Sequence, residues 1–156
     1  MSSTPVLRAL AERAPQTTRP RRAAAVVLGL FLVFAGTSHL SFAREEFQAQ
    51  VPDWVPLNED TVVLLSGIAE IGLGGALAAL PSRRVPAGLA AAAFFIAIFP
   101  GNISQYVTGT DAFGLDSDQA RLIRLFFQPL LVIWALWSTG AWQALRAAVR
   151  TRSASR

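Results

Sequence analysis

TVVLLSGIAEIGLGGALAAL, residues Thr61 to Leu80, decides how this chain folds. It is about the ~20 residues a helix needs to cross a bilayer, and Glu70 is its only charged residue. A lone carboxylate at that depth is costly unless it is partnered, so it marks either a structural ion pair or a working site.

Three further runs have the same character. They are Ala23 to Leu40, Val85 to Ile103 and Leu122 to Trp142. Proline and glycine mark the joins: Pro52 and Pro56, then Pro81 and Pro86, then Gly109 and Gly114. The 156-residue chain is 53% hydrophobic and collects its apolar residues into long runs, as a polytopic membrane protein does. The expected fold is all-α, a bundle of four transmembrane helices. A basic segment (1–22), read as flexible, precedes the membrane domain (23–142), and a basic tail (143–156) follows it, flexible from Thr151.

Arginine placement sets the orientation. Arg8, Arg13, Arg19, Arg21 and Arg22 precede the first run, Arg83 and Arg84 fill the second join, and Arg146, Arg150, Arg152 and Arg156 follow the last run. The positive-inside rule puts these segments, and so both termini, in the cytoplasm. The expected location is the bacterial plasma membrane. The arginines read as topology signals rather than a nucleic-acid surface, despite a pI of about 11.2. A cleaved signal peptide is the rival reading of the first run, with Ser41-Phe42-Ala43 as its cleavage site, but the run is long for one and holds His39.

Chemistry is bounded by what is missing. There is no cysteine and one histidine, so thiol redox relays, thiolate metal sites and paired-histidine haem ligation within this chain are excluded. No nucleophile motif, phosphate loop or metal-ligand set is present. An independent enzyme is therefore not expected, nor is a metal or a covalently bound cofactor.

The remaining polar residues gather in the outer half of the bilayer. Rise per residue puts Glu70 about 13 Å below the outer boundary and His39 within roughly 5 Å of it. Asn102 closes the third run, and Arg124 and Gln128 open the fourth. Arg121, Arg124 and Gln128 share a helix face, and Glu70 shares one with Ser66, Gly67 and Gly74. Small residues there admit a close neighbour, so Glu70 is expected to face the bundle interior, with Arg124 its best counter-ion. The amides of Asn102 and Gln128 are expected either to serve carbonyls freed by Pro100 and Pro129 or to meet a ligand. His39 is expected to make an interfacial hydrogen bond or to move protons. Ser41 to Leu57 is expected to form a short amphipathic helix and a proline-bounded turn, either floating at the interface or capping the polar cluster.

Five segments in order resemble the DoxX-like family of small four-helix bacterial membrane proteins. They are Gly36-Thr-Ser-His39, Val51-Pro-Asp-Trp-Val-Pro56, Ser66-Gly-Ile-Ala-Glu70-Ile-Gly-Leu-Gly74, Phe99-Pro-Gly-Asn102 and Arg124-Leu-Phe-Phe-Gln128. One departure stands out: similar proteins often carry proline between the arginine and the glutamine, where this chain has Phe126. The resemblance implies a membrane subunit associated with redox metabolism, the family being named after a component of a thiosulfate–quinone oxidoreductase system.

Three readings of function follow. The first is a scaffold or subunit that assembles soluble redox proteins or other oxidoreductase subunits, with a quinone in a pocket formed by His39, Glu70, Asn102, Arg124 and Gln128. The second is a small proton-coupled transporter or lipid- and solute-binding protein. It would be expected to form a homo-oligomer, with Gly72 and Ala76 or Gly75 and Ala79 as a packing face. The third is a structural bundle that the polar cluster merely holds together.

Overall fold

The computed structural model describes residues 17–154. The segment read as flexible at the N-terminus lies, up to residue 16, outside the described residues. Four long apolar helices, each long enough to span a membrane, make the bundle. They are α1 (Arg19–His39), α3 (Glu59–Ala79), α4 (Arg84–Thr108) and α5 (Asp118–Thr139). Two shorter helices complete the chain: α2 (Arg44–Gln48) after α1, and α6 (Ala141–Ala154) after α5. There is no strand among the described residues.

Local chemistry explains the boundaries. The Asn58 side chain accepts from the Asp60 amide at 3.0 Å, and Glu59 and Asp60 place negative charge at the N-terminus of α3. Ser117 caps α5 in the same way through the Ala120 amide. Gly140, with φ +78°, ends α5 in the left-handed conformation, so Trp142 belongs to α6 and not to the fourth span as its hydropathy suggested. The last helix runs on to Ala154, past the expected start of a flexible tail, in a stretch rich in alanine and arginine that favours helix. Pro100 and Pro129 lie inside α4 and α5, which continue through both.

Helix packing pairs α1 with α3 and α4 with α5, and α1 also meets α5. The α1–α3 seam is backbone against backbone. A Cβ on Gly29 would lie 2.6 Å from the Gly74 carbonyl oxygen, and one on Gly36 would lie 2.5 Å from that of Gly67. The glycines flanking Glu70 in sequence therefore do admit a close neighbour. Gly72 and Gly75, by contrast, face open space. At mid-bundle Leu28, Leu32, Leu77, Ala91, Phe95 and Ala135 form the apolar core. Val85, Ala141 and Ala144 close the arginine-rich end. There the Trp134 indole donates to the Ala24 carbonyl at 3.0 Å, and Arg21 lies over the Trp137 ring. Large apolar side chains such as Phe34, Ile68, Ile96 and Phe126 point outward, as suits helices solvated by lipid.

Candidate functional site

At the end of the bundle away from the arginines, the four long helices enclose a cavity of about 740 Å³. His39, Glu70, Asn102, Arg124 and Gln128 all line it, one or two from each helix. Most of the rest of the wall is apolar, including Leu32, Val63, Phe95, Ile98 and Leu131. A cavity of a few hundred Å³ with a mainly apolar wall and a few convergent polar groups is the usual form of a small-molecule site.

One polar feature of the wall is a histidine–carboxyl pair. His39 ends α1, and its imidazole Nε2 lies 3.5 Å from Glu70 Oε2, with both side chains buried. On the other side of the ring, Nδ1 lies 2.9 Å from Ser66 Oγ and 3.3 Å from the Val63 carbonyl. The Ser66 hydroxyl donates to that same carbonyl at 2.9 Å, so Ser66 Oγ is left to accept. Both neighbours of Nδ1 are thus acceptors, which assigns the ring hydrogen to Nδ1 and turns Nε2 toward Glu70. The two groups are placed to share one proton, as acid and imidazole or as carboxylate and imidazolium. At 3.5 Å the pair is longer than a good hydrogen bond, and buried Glu70 Oε2 has no hydrogen-bond partner.

This pairing corrects the expected counter-ion. Arg124 does not reach Glu70. Its guanidinium donates to Gln105 Oε1 at 3.1 Å and Gln50 Oε1 at 2.8 Å, and lies over the Phe113 ring at 5.4 Å. The reason is depth. The first turns of α3 rise past the end of α1, so Val63 and Ser66 stand beside His39 and Glu70 meets the histidine from below. Arg124 enters in the second turn of α5, nearer the outer loops.

The two amides bond to each other and to Phe95 rather than to a carbonyl freed by Pro100 or Pro129. Asn102 donates to Gln128 Oε1 at 3.1 Å, and Gln128 donates to the Phe95 carbonyl at 2.6 Å. That carbonyl lies one residue before the one that Pro100 deprives of its donor. Together they tie α4 to α5 across the cavity floor.

The loops at this end of the bundle form a roof over the site. Phe47 of α2 stacks on the His39 ring at 3.4 Å between centroids and meets Phe113 edge-on. The Phe113 amide donates to Glu46 Oε2 at 2.5 Å, joining the loop before α5 to α2. Phe113 holds a φ of +58°, a conformation costly for a bulky residue, and these three contacts to Glu46, Phe47 and Arg124 fix it there. Arg44 and Gln48 anchor α2 to Asp60 at the start of α3, with Arg44 making two bonds of 2.6 Å. The Asp60 carboxylate raises the Arg44 guanidinium above its ordinary value. Arg121 pins the second loop through Asp111, Asp118 and the Leu115 carbonyl. The segment Ser41 to Leu57 thus caps the polar cluster rather than floating free of it.

Sequence reasoning did not single out Gln50, Gln105 or Phe113. Gln105 had a signal, lying three residues after Asn102 on the same helical face. The meeting of Glu46 with Phe113, between two distant loops, had none.

No curated protein and no solved structure matches this chain. A family of uncharacterised domains does match, over residues 28–139, which covers the four long helices from the third turn of α1 to the last residue of α5. The chain therefore belongs to the family described as Domain of unknown function (DUF8561).

Proposed function

We propose that this protein is a DoxX-like membrane subunit whose outer-half cavity binds a quinone and which works beside soluble redox proteins or other oxidoreductase subunits. One observation carries the reading. A buried carboxyl oxygen without a hydrogen-bond partner faces an imidazole inside a largely apolar cavity. A quinone suits such a place, because its ring needs apolar walls and its carbonyls need hydrogen-bond donors and, on reduction, protons. Arg124 supports the same chemistry, since its charge is met by amide oxygens and a ring rather than by a carboxylate among the described residues. The electron chemistry would belong to the quinone and the partners. The arginine-rich end, with both termini, faces the cytoplasm of a bacterial plasma membrane, and the cavity lies in the outer half of the bilayer.

Purification from the native membrane in mild detergent, with native mass spectrometry and lipid extraction, tests this. A stoichiometric quinone or co-purifying oxidoreductase subunits support it. A clean homo-oligomer that carries neither overturns it.

A small proton-coupled transporter is the second reading. It is favoured by the buried His39–Glu70 pair, which joins α1 to α3 across a cavity whose other two helices, α4 and α5, contain Pro100 and Pro129. Proton-dependent solute flux in liposomes, abolished by Glu70→Gln, would bring it forward.

A further inference from the structure

The cavity reaches the surface of the bundle between α3 and α4. These helices are joined by a three-residue turn, Pro81–Arg83, yet touch more lightly than α1 and α3, α4 and α5, or α1 and α5 do. Away from that turn, side chains of both helices line the cavity, which leaves a gap between them. Val62 and Ser66 on α3 and Ala97, Ile98 and Pro100 on α4 line the cavity along this gap, and Ala97 and Pro100 are exposed. The gap faces the lipid, as exposed Leu65 and Ile96 beside it indicate. Above it runs the segment from Val51 to Leu57, which lines the cavity with Pro52, Trp54, Val55 and Leu57. The Gln50 carbonyl lies against α4 at Gly101, where an added Cβ would sit 3.4 Å from it.

The other lipid-facing seam differs. Between α1 and α5, Phe31 and Phe127 line the cavity and are exposed, so this seam carries two large rings where the α3–α4 gap has an alanine and a proline. Below them the Trp134–Ala24 hydrogen bond holds α1 and α5 together. The aqueous side is closed by the Phe47–Phe113 contact and the Glu46 and Gln50 bonds.

We propose that the cavity takes its ligand sideways from the bilayer, polar head first, through the gap between the outer halves of α3 and α4, and that the ligand keeps an apolar chain in that gap. This rests on the quinone reading and narrows it to a chain-bearing, membrane-dissolved quinone. The head lies against Glu70 and His39. The chain passes Ala97 and Val62 under the Trp54 segment and ends among lipid.

The test uses the full-length protein in lipid nanodiscs with two forms of a decyl benzoquinone, one carrying a diazirine on the ring and one at the chain end. Ring adducts on peptides holding His39 or Glu70, with chain-end adducts on peptides holding Val62 or Ala97, are the expected result. Ring adducts at Glu70 with chain-end adducts at Phe31 or Phe127 overturn the lateral path and leave the quinone cavity standing. Absence of ring adducts near Glu70 overturns the quinone reading itself. Filling the gap by Ala97→Trp is expected to weaken decyl benzoquinone binding about tenfold, and unchanged binding in that variant also overturns the path.

Discussion

The two halves of this bundle treat polar residues in opposite ways. Near the arginine-rich end, Ser138 and Thr139 are fully buried, and both donate to the Ala135 carbonyl of their own helix. Their hydrogen-bonding capacity is spent within one turn, and the surrounding helices close over them. At the other end the polar side chains that line the cavity bond between elements instead: His39 with Ser66, Asn102 with Gln128, Arg124 with Gln105 and Gln50. They hold a cavity open and leave Glu70 Oε2 without a partner. A polar residue in a membrane helix is thus not a functional signal by itself. It becomes one when its partners lie on other elements and a group is left over.

The contrast can be broken at its closed end first. A side chain at Gly88 would run into Thr139, whose Cβ would lie 2.7 Å from the new Cβ. Gly88→Val is expected to destabilise the bundle by about 1–3 kcal/mol or prevent folding, seen as a large drop in thermal unfolding temperature in detergent. A tolerated valine would mean that the inner half is not close-packed. In the outer half, Arg124→Ala removes the donors to two glutamine oxygens and is expected to cost about 2 kcal/mol. The companion readout is faster hydrogen exchange around Gln50, and unaltered exchange would show that the roof does not depend on Arg124.

Smaller effects sharpen the picture. Ser66→Ala takes away the nearer acceptor of the His39 Nδ1 hydrogen, with an expected stability loss of about 0.6 kcal/mol. Nitrogen-15 spectra of the histidine are expected to show a single tautomer in the parent and a mixture in the variant. A single tautomer in both would remove Ser66 from the pair's design. The smallest change is expected from Arg44→Gln. Its ion pair with Asp60 is largely exposed, so overall stability should hold while exchange in α2 rises, most clearly at low salt. Exchange identical to the parent would mean that Glu46, Phe47 and Gln48 hold α2 without the ion pair.

Much of this arrangement was legible in the sequence. Run length and the proline–glycine joins were enough for four spans, because a bilayer leaves a chain few alternatives. The faces of Glu70 and Gln128 followed from helical periodicity, and all five residues singled out line one cavity. Hydropathy misjudged the end of the fourth span because it cannot see Gly140 turn left-handed. The partner of Glu70 was misassigned because depth was counted from each run as though all helices began at one plane. In the structure α3 starts above the end of α1, and that offset brings His39 to the carboxylate. The roof was half legible: the amphipathic pattern of Ser41 to Leu57 pointed to it, whereas its bond to Phe113 depends on a loop conformation that no local pattern encodes.

The central claim is that Glu70 serves a ligand rather than the fold. The most direct measurement is Glu70→Gln, with decyl benzoquinone binding and thermal stability read on the same preparation in nanodiscs. The expected result is binding weakened at least about tenfold, with stability within about 1 kcal/mol of the parent. Binding as tight as the parent's, with stability lost instead, would make Glu70 a structural residue and contradict the claim.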